Sequence, residues 1–261
     1  MGFSKPDSGE TRIFGKESFH QYDKILKSVG YIPGEIALPA GLTGWEFLRM
    51  MQDMQGRRNK EKLEELLALF ELDPSGDTKR MSLGVKRKLA VVTAFMNDPD
   101  VLILDEPTSG LDPVMQDVFI DYLKNEKKRG KTILLSSHIF SEVDATCDRI
   151  AIIKDGKIVS DFVADDLRHA SQKNYRISFD SKTDFDRFIA DNGNKEELKI
   201  IERDAESSSL VVATDDAYIN SVIETLSAYS VCGFTHLKET LEDYFMKYYK
   251  EDKDFGGALQ K

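Results

Sequence analysis

The chain has 261 residues, which is enough for one large or two small domains with their own cores. Its 36 basic and 46 acidic residues leave a net charge of -10, which argues against a nucleic-acid backbone as the main partner. Cys147 and Cys232 have no metal-ligand spacing and form no disulfide framework, which fits a reducing cytosol. No stretch approaches the ~20 consecutive apolar residues of a membrane helix. The start, MGFSKPDSG, lacks the apolar region of a signal peptide, so we expect any membrane role to be peripheral.

Short elements open the chain. A turn at residues 6–9 precedes a predicted strand from Thr11 to Phe14. A short helical pattern then leads to residues 28–35, SVGYIPGE, in which Pro33 and Gly34 form a favoured turn. The turn alone explains both residues.

Helical signals dominate residues 43–97. Thr43 and Glu46 form a capping box, Thr-x-x-Glu, that opens an apolar-rich helix. A second helix carries apolar residues at i, i+3, i+4 and i+7: Leu63, Leu66, Leu67 and Phe70. Ser82, in the string MSLGVKRKL, is placed to cap a third helix, so that its hydroxyl and the first free N–H groups converge on an anion-binding end. Taken alone, this string is better explained by an ordinary serine cap.

Residues 101–113, VLILDEPTSGLDP, are the stretch around which the chain is organised. Val101 to Leu104 is an apolar run of the kind that a buried parallel strand requires, and Asp105 and Glu106 stand at its carboxyl end, where open α/β sheets place ligands. An Asp there can hold Mg²⁺, directly or through water, while the adjacent Glu can polarise an attacking water. A strand followed by a helix-capping acid is the plainer interpretation of the short run alone.

The pattern of a parallel sheet continues beyond this stretch. Asp112 and Pro113 open another helix, with the cap and the first-turn proline in the favoured order. Thr132 to Ser136 is predicted to be the next buried strand, and His138 stands just beyond its carboxyl end. A lone histidine in such a place is usually structural.

The last third of the chain predicts a separate small module. Arg149 to Phe162 reads as a hairpin across Asp155-Gly156. Residues 174–250 follow the order strand, helix, strand, strand, helix, strand, and then a last helix that packs back on the body; the first six elements predict a ferredoxin-like α+β module. Residues 251–261 are predicted to be a disordered tail.

Three strings together resemble the ATP-binding cassette (ABC) ATPases of transporters, of the exporter type: LDEPTSGLDP, the MSLGV string some twenty residues before it, and the histidine in LLSSHIFSEVD. The resemblance covers residues 1–165 well and the remainder loosely. It implies an α/β fold in which 1–165 is an incomplete ABC ATPase domain. That domain has a P-loop NTPase-type parallel sheet and a helical subdomain at about 43–97, and the module at 174–250 is an accessory.

The resemblance also implies roles for six residues. Asp105 serves the metal, Glu106 activates water and His138 contacts the γ-phosphate of ATP. The remaining three act between two subunits: Ser82 and Gly84 grip the γ-phosphate of ATP held by a second cassette, and Asp112 contacts that cassette. The implied cofactors are therefore ATP and Mg²⁺. The implied partners are a membrane permease and a second cassette, in a homo- or heterodimer, with no nucleic acid. The implied location is cytoplasmic, peripheral on the inner face of the cell membrane.

One element of that family is missing from these residues. A phosphate-cradling loop, or Walker A motif, needs G-x-x-x-x-G-K-[ST] between a strand and a helix. The nearest string, NEKKRGKT at 125–132, has Asn125 in the first glycine position and is followed by a strand. Gly34 also stands where the family's Q-loop carries glutamine. The opening KPDSGE resembles the segment that follows the Walker A helix, so we expect the chain to be truncated at its N-terminus and its sheet to lack that strand and helix.

Loss of the phosphate loop has a predictable cost. Charge-assisted hydrogen bonds contribute roughly 1.5 to 3 kcal/mol each, so losing two costs about 3 to 6 kcal/mol. ATP binding is then weaker by at least ~10² to 10⁴, and the chain alone is expected to be inactive or nearly so.

Three interpretations stay open from the sequence. The first is an ABC transporter ATP-binding subunit whose reading frame is truncated or begins at a wrong start codon. The second is a degenerate cassette that hydrolyses nothing and donates Ser82 and Gly84 to the nucleotide of an intact partner. The third is a gene remnant whose product does not fold.

Overall fold

A computed structural model describes residues 1–168, 172–193, 195, 197–237 and 240–250. Internal contacts divide the chain into two compact units, Met1–Cys147 and Asp148–Lys261. The predicted domain limits of 1–165 and 174–250 stay a prediction, and the predicted disordered tail at 251–261 lies outside the described residues.

The first unit alternates short strands and helices. In chain order its elements are β1 (Arg12–Ile13), β2 (Lys16–Glu17), α1 (Tyr22–Ile25) with a 3-10 turn at Leu26–Ser28, β3 (Val29–Ile32), α2 (Gly44–Gln55), α3 (Lys60–Leu69), α4 (Leu83–Phe95), β4 (Val101–Asp105), α5 (Pro113–Lys128), β5 (Thr132–Ser136) and α6 (Phe140–Thr146). β1 and β2 pair as a small hairpin in place of the single strand predicted at 11–14. The chain reverses there because Phe14 and Gly15 both have positive φ angles.

A parallel sheet in the order β3-β4-β5 organises this unit. Ile32 lies opposite Leu104, and Asp105 lies opposite Ser136. Leu102 and Leu104 point into the core, where both are buried in one cluster with α4 and α5. The central strand therefore ends with its two acids at the sheet edge where ligands of α/β proteins lie, and the predicted P-loop NTPase-type α/β fold is confirmed.

Strand β5 differs from the buried strand that the sequence predicts. Among the described residues it pairs with β4 alone, so it is an edge strand. Ile133 and Leu135 pack against the core, whereas Leu134 between them is 66% exposed. Successive side chains of a strand point to opposite faces, and here only one face is covered.

Side-chain caps set the starts of the three helices between β3 and β4. Thr43 accepts a hydrogen bond from the Glu46 amide while the Glu46 carboxylate accepts one from the Thr43 amide, which confirms the predicted capping box of α2. Asn59 caps α3, and Ser82 caps α4. Helix α4 then lies so close to β3 that a Cβ atom on Gly30 would sit 2.2 Å from the carbonyl oxygen of Ala94.

A buried ionic cluster joins α5 to the elements around it. Arg129 makes two parallel hydrogen bonds to Asp98, of 2.9 and 3.0 Å, and also reaches Glu126 at 2.8 Å. Lys131 contacts both acids, and Lys62 from α3 lies 3.5 Å from Glu126. The side chains of Glu126 and Lys131 are only 3% and 7% exposed, so this cluster is more than a set of surface ion pairs.

The second unit consists of a hairpin and an α+β module. In chain order its elements are β6 (Arg149–Lys154), β7 (Lys157–Val163), α7 (Ala164–Arg168), β8 (Gln172–Phe179), α8 (Lys182–Asn192), β9 (Lys199–Asp204), β10 (Ser209–Asp215), a 3-10 turn at Asp216–Tyr218, α9 (Ile219–Leu226), β11 (Val231–Leu237) and α10 (Leu241–Lys250). The antiparallel order β11-β8-β10-β9 is that of a ferredoxin-like sheet, as predicted. Asp155 and Gly156 form the predicted hairpin turn, and Tyr244 of α10 packs on Phe162 of β7 with ring centroids 4.7 Å apart.

Within the described parts of the chain, every helix is too short or too polar to span a bilayer.

Candidate functional site

The carboxylate of Asp105 is held between two neighbouring segments at the end of β4. The Ser136 hydroxyl, at the end of β5, donates a hydrogen bond of 2.5 Å to Oδ1. The backbone of Gly34, in the turn after β3, lies against the other oxygen: a Cβ atom at position 34 would be 2.8 Å from Oδ2. A side chain at position 34 would therefore displace the Asp105 carboxylate from where it lies.

Glu106 leaves the strand in an unusual backbone conformation. Its φ angle is +47°, in the left-handed region that costs a residue with a side chain about 1 kcal/mol or more. The Glu106 amide donates to the Ser136 carbonyl at 2.9 Å, and its carbonyl accepts from the Ser109 amide at 3.1 Å. Residues in such conformations persist where their surroundings fix them, and they concentrate at functional sites.

The Glu106 side chain meets His138. Nδ1 of His138 lies 2.6 Å from Oε2 of Glu106, and the two side chains are 74% and 29% exposed. The hydrogen bond that the His138 ring donates to the Glu106 carboxylate, together with the negative charge of that carboxylate, raises the pKa of His138. Both groups reach solvent, so the pair can exchange a proton with a molecule bound in front of it. For Glu106 to act on a water molecule, its hydrogen bond to His138 must first be shared or broken.

The acids at this edge fit one kind of metal site. Mg²⁺ is usually held by one or two carboxylates, and its other ligands are waters and substrate phosphates. Asp105 is exposed and offers one such carboxylate. The described residues contain no group of three or more His, Cys, Asp or Glu side chains that would form an all-protein cage. The site therefore fits Mg²⁺ that arrives together with a phosphate ligand.

The remaining predicted residues form a second group around the starts of α4 and α5. The Ser82 hydroxyl accepts from the Val85 amide at 3.3 Å, which confirms the predicted cap. A Cβ atom on Gly84 would lie 3.1 Å from the carbonyl oxygen of Gly110. Asp112, two residues further on, accepts from the Met115 amide at 3.0 Å and caps α5. The structure thus brings Asp105, Glu106 and His138 into one group and the residues at the two helix starts into another.

Comparison with known proteins shows which family this chain resembles. The model of the ABC transporter family matches residues 1–109. The chain is 37% identical over 162 residues to the ABC transporter ATP-binding protein YhcH of Bacillus subtilis, an alignment that covers 61% of this chain and 53% of that protein. It is 34% identical over 178 residues to the bacitracin transport ATP-binding protein BcrA of Bacillus licheniformis, covering 66% and 58%. The chain spans little more than half the length of these curated relatives.

A solved structure agrees in both fold and sequence. The ATP-binding subunit of an ABC transporter superposes with a TM-score of 0.59 at 30% identity, over 65% of this chain and 72% of that one. This chain belongs to the ABC transporter ATP-binding cassette family.

At the predicted Q-loop position the chain carries Gly34, whose backbone approaches Asp105 so closely that the carboxylate fills the space of a longer side chain. The phosphate-loop string G-x-x-x-x-G-K-[ST] does not occur in the 261 residues.

Two buried charged residues of this cassette were not identified from the sequence. Arg87 of α4 is 2% exposed and donates to three backbone carbonyls, of Pro33, Gly34 and Ser109. Its signal was available, because it is a single charge on the otherwise apolar inner stripe of α4. Glu142 of α6 is 1% exposed and its pKa is raised by burial. No sequence signal distinguished it from the other acids near His138.

Proposed function

We propose that this chain is the ATP-binding subunit of an ABC exporter, which couples ATP binding and hydrolysis to transport by a separate membrane permease. The observation that supports this most directly is the contact between Glu106 and His138 at 2.6 Å, beside Asp105 at the carboxyl edge of the parallel sheet. An acid pair and a histidine at this edge can supply a metal ligand, a base for the attacking water and a hydrogen-bond donor to phosphate, which are parts of the machinery for hydrolysis of a nucleoside triphosphate. The similarity to a bacitracin transport protein supports the exporter type.

Each residue of the first group has a proposed task. Asp105 holds Mg²⁺, which supplies positive charge to the phosphates of ATP. Glu106 orients the attacking water and accepts its proton, and His138 donates a hydrogen bond to the terminal phosphate. The raised pKa of His138 favours the protonated ring, which is the better donor to an anion.

The second group is proposed to act across a dimer. The N-terminus of α4, with Ser82 and Gly84, presents free N–H groups and the positive end of the helix dipole to the phosphate of ATP held by a second cassette. Asp112 contacts that cassette while it caps α5. The chain is accordingly placed in the cytoplasm, on the inner face of the membrane, bound to a permease and to a second cassette, and not to nucleic acid.

The chain by itself is proposed to be a poor enzyme. Without a Walker A string, at least two charge-assisted hydrogen bonds to phosphate are lost, which weakens ATP binding by ~10² to 10⁴ or more. Hydrolysis by the isolated chain should therefore be close to absent.

A second function is favoured by the contrast between the two groups. The start of α4 is capped by Ser82, whereas the predicted Q-loop position holds a glycine, which has no side chain to offer a nucleotide or metal. A cassette of this kind serves as a non-hydrolysing partner that completes the nucleotide site of an intact cassette with Ser82 and Gly84. A gene remnant that does not fold is a third possibility, and a cooperative thermal transition of the purified chain would exclude it.

Affinity purification from detergent-solubilised membranes of the chain's own cells tests these functions. The tagged 261-residue chain and its variants Glu106→Gln and Ser82→Arg are compared for co-purifying proteins and for ATP hydrolysis. The proposed function predicts that a permease co-purifies and that Glu106→Gln lowers hydrolysis. Hydrolysis that survives Glu106→Gln but is lost in Ser82→Arg establishes the non-hydrolysing partner instead. If no permease and no second cassette co-purify, both functions are wrong.

A further inference from the structure

We propose that Arg87 and Glu142 are positioning residues that hold the turn at Thr108 and Ser109 from its two sides and thereby keep Glu106 opposite His138. Neither touches the carboxylate and imidazole that face solvent. They act on the backbone segment that connects Glu106 to the start of α5.

Arg87 holds one side of the turn. Its Nε donates to the Ser109 carbonyl at 2.7 Å, and its two terminal nitrogens donate to the carbonyls of Pro33 at 2.9 Å and Gly34 at 2.8 Å. One buried guanidinium thus joins α4, the turn that lies on Asp105 and the segment after Glu106. A planar fork of five N–H donors suits this task, and the single ammonium of a lysine cannot reach all three acceptors in the same geometry.

Glu142 holds the other side. Its Oε2 accepts from the Ser137 hydroxyl at 2.6 Å and from the Thr108 hydroxyl at 3.3 Å. Ser137 is the neighbour of His138, and its hydroxyl also accepts from the Ile139 amide at 3.0 Å. A buried acid on α6 therefore connects the segment that carries His138 to the residue adjacent to Ser109.

The strained backbone of Glu106 explains why contacts on both sides of the turn are needed. A φ angle of +47° in a residue with a side chain relaxes unless neighbouring contacts prevent it. The Ser109 amide donates to the Glu106 carbonyl, so the position of Ser109 fixes the peptide that follows Glu106. Arg87 fixes the Ser109 carbonyl, and Glu142 fixes the Thr108 side chain one residue earlier. If the contact of Arg87 with Ser109 or that of Glu142 with Thr108 is lost, Glu106 is expected to leave the left-handed conformation and to move away from His138.

The same contacts link the two groups of the site. The chain of hydrogen bonds runs from α4, which Ser82 caps, through Arg87 to Ser109, and from Thr108 through Glu142 to the neighbour of His138. The meaning of this link for catalysis rests on the proposed function. The positioning itself does not, and its test uses no nucleotide, so a failure of one is distinguishable from a failure of the other.

The test is nuclear magnetic resonance on the full chain with Arg87→Met and, as matched control, Lys88→Met, which removes a charge from the next position of the same helix. Two quantities are measured: the exchange rate of the Ser109 amide and the pKa of the His138 ring, with the ring signal assigned from a His138→Gln spectrum. In Arg87→Met, Ser109 should exchange faster by about tenfold or more, as expected for loss of a hydrogen bond to a charged group. The pKa of His138 should fall toward its ordinary value, and the same direction of change is expected in Glu106→Gln.

Substitutions at Glu142, on the other side of the turn, supply an independent comparison. Glu142→Leu and Glu142→Gln both remove the charge of Glu142, which by itself contributes to the raised pKa of His138. Glu142→Leu also removes the acceptor for both hydroxyls, whereas Glu142→Gln keeps an acceptor oxygen, so the pKa of His138 should fall further in Glu142→Leu than in Glu142→Gln. If Arg87→Met does not fold, Arg87→Lys takes its place and should give an intermediate pKa.

A single result overturns the inference. If folded Arg87→Met leaves Ser109 exchange and the His138 pKa as they are in Lys88→Met, and Glu142→Leu gives the same His138 pKa as Glu142→Gln, then Arg87 and Glu142 do not position Glu106.

Discussion

Replacement of Asp98 by asparagine should weaken the first unit by an amount that depends on pH. Burial alone would raise the pKa of Asp98, but the hydrogen bonds and charges of Arg129 and Lys131 outweigh it and lower the pKa to about 2. Relative to an unfolded value of about 3.9, this corresponds to about 2.6 kcal/mol of stability at neutral pH. About a third of the side chain meets solvent, so we expect about 1 to 2 kcal/mol.

Asparagine isolates the charge in this comparison. Asp98 has a φ angle of +51°, and asparagine tolerates that region at least as well as aspartate. Lys131 keeps its ion pair with Glu126 and its hydrogen bond to the Pro99 carbonyl, which limits the loss. The matched control is Asp121→Asn on the outer face of α5, where the acid is 75% exposed and contacts Lys124 alone at 3.2 Å. It should change stability by less than about 0.5 kcal/mol.

Equilibrium urea unfolding at several pH values measures the difference. A carboxyl group whose folded pKa is lowered stabilises the fold above its unfolded pKa, and that stabilisation is lost as the pH falls through the folded pKa. The free-energy difference between the native chain and Asp98→Asn should therefore be full above pH 5 and roughly half near pH 3. A difference that stays constant down to pH 3, or that is absent at pH 7, would refute the assignment of this stability to Asp98.

Three further outcomes are expected. In Glu106→Gln, the imidazole of His138 should titrate at lower pH than in the native chain, because Glu106 is the main cause of its raised pKa; an unchanged ring titration contradicts this. Gly30→Ala should cost about 1 to 3 kcal/mol in urea unfolding, because a Cβ there meets a backbone oxygen at 2.2 Å, whereas Gly76→Ala, with open space around it, should not. Thr43→Ala removes the cap of α2 and should cost ~1 kcal/mol, with loss of helical circular dichroism as the second readout.

The parts of the fold that follow from local rules were predictable from the sequence. Caps, turn residues and apolar periodicity depend on neighbours in the chain, so the starts of α2, α4 and α5 and the turn at Asp155-Gly156 agree with prediction. The burial of β5 was not predictable in this way. An apolar run has the same letters whether one or both of its faces are covered, and the exposed Leu134 shows that only one face is covered here.

The candidate site divides along the same line. Asp105, Glu106 and His138 were predictable because they follow strands whose carboxyl ends meet at one edge. The charge of Arg87 on the apolar stripe of α4 could be noticed in the sequence, but the distant backbone carbonyls to which it donates could not. Glu142 accepts from the hydroxyls of nearby Ser137 and distant Thr108, and no pattern in the sequence marks either contact. The left-handed conformation of Glu106 was equally hidden, since the residue there is neither glycine nor asparagine.

The one-sided pairing of β5 has a consequence for work with the purified chain. The amide and carbonyl groups on the edge of β5 that faces away from β4 can pair with the same strand of another molecule. The exposed apolar side chain of Leu134 beside this edge favours such association. Chains that open on heating are then expected to precipitate before they refold, so an apparent melting temperature will rise with faster scans. A melting temperature of this chain should therefore be given together with the salt concentration, the protein concentration and the heating rate.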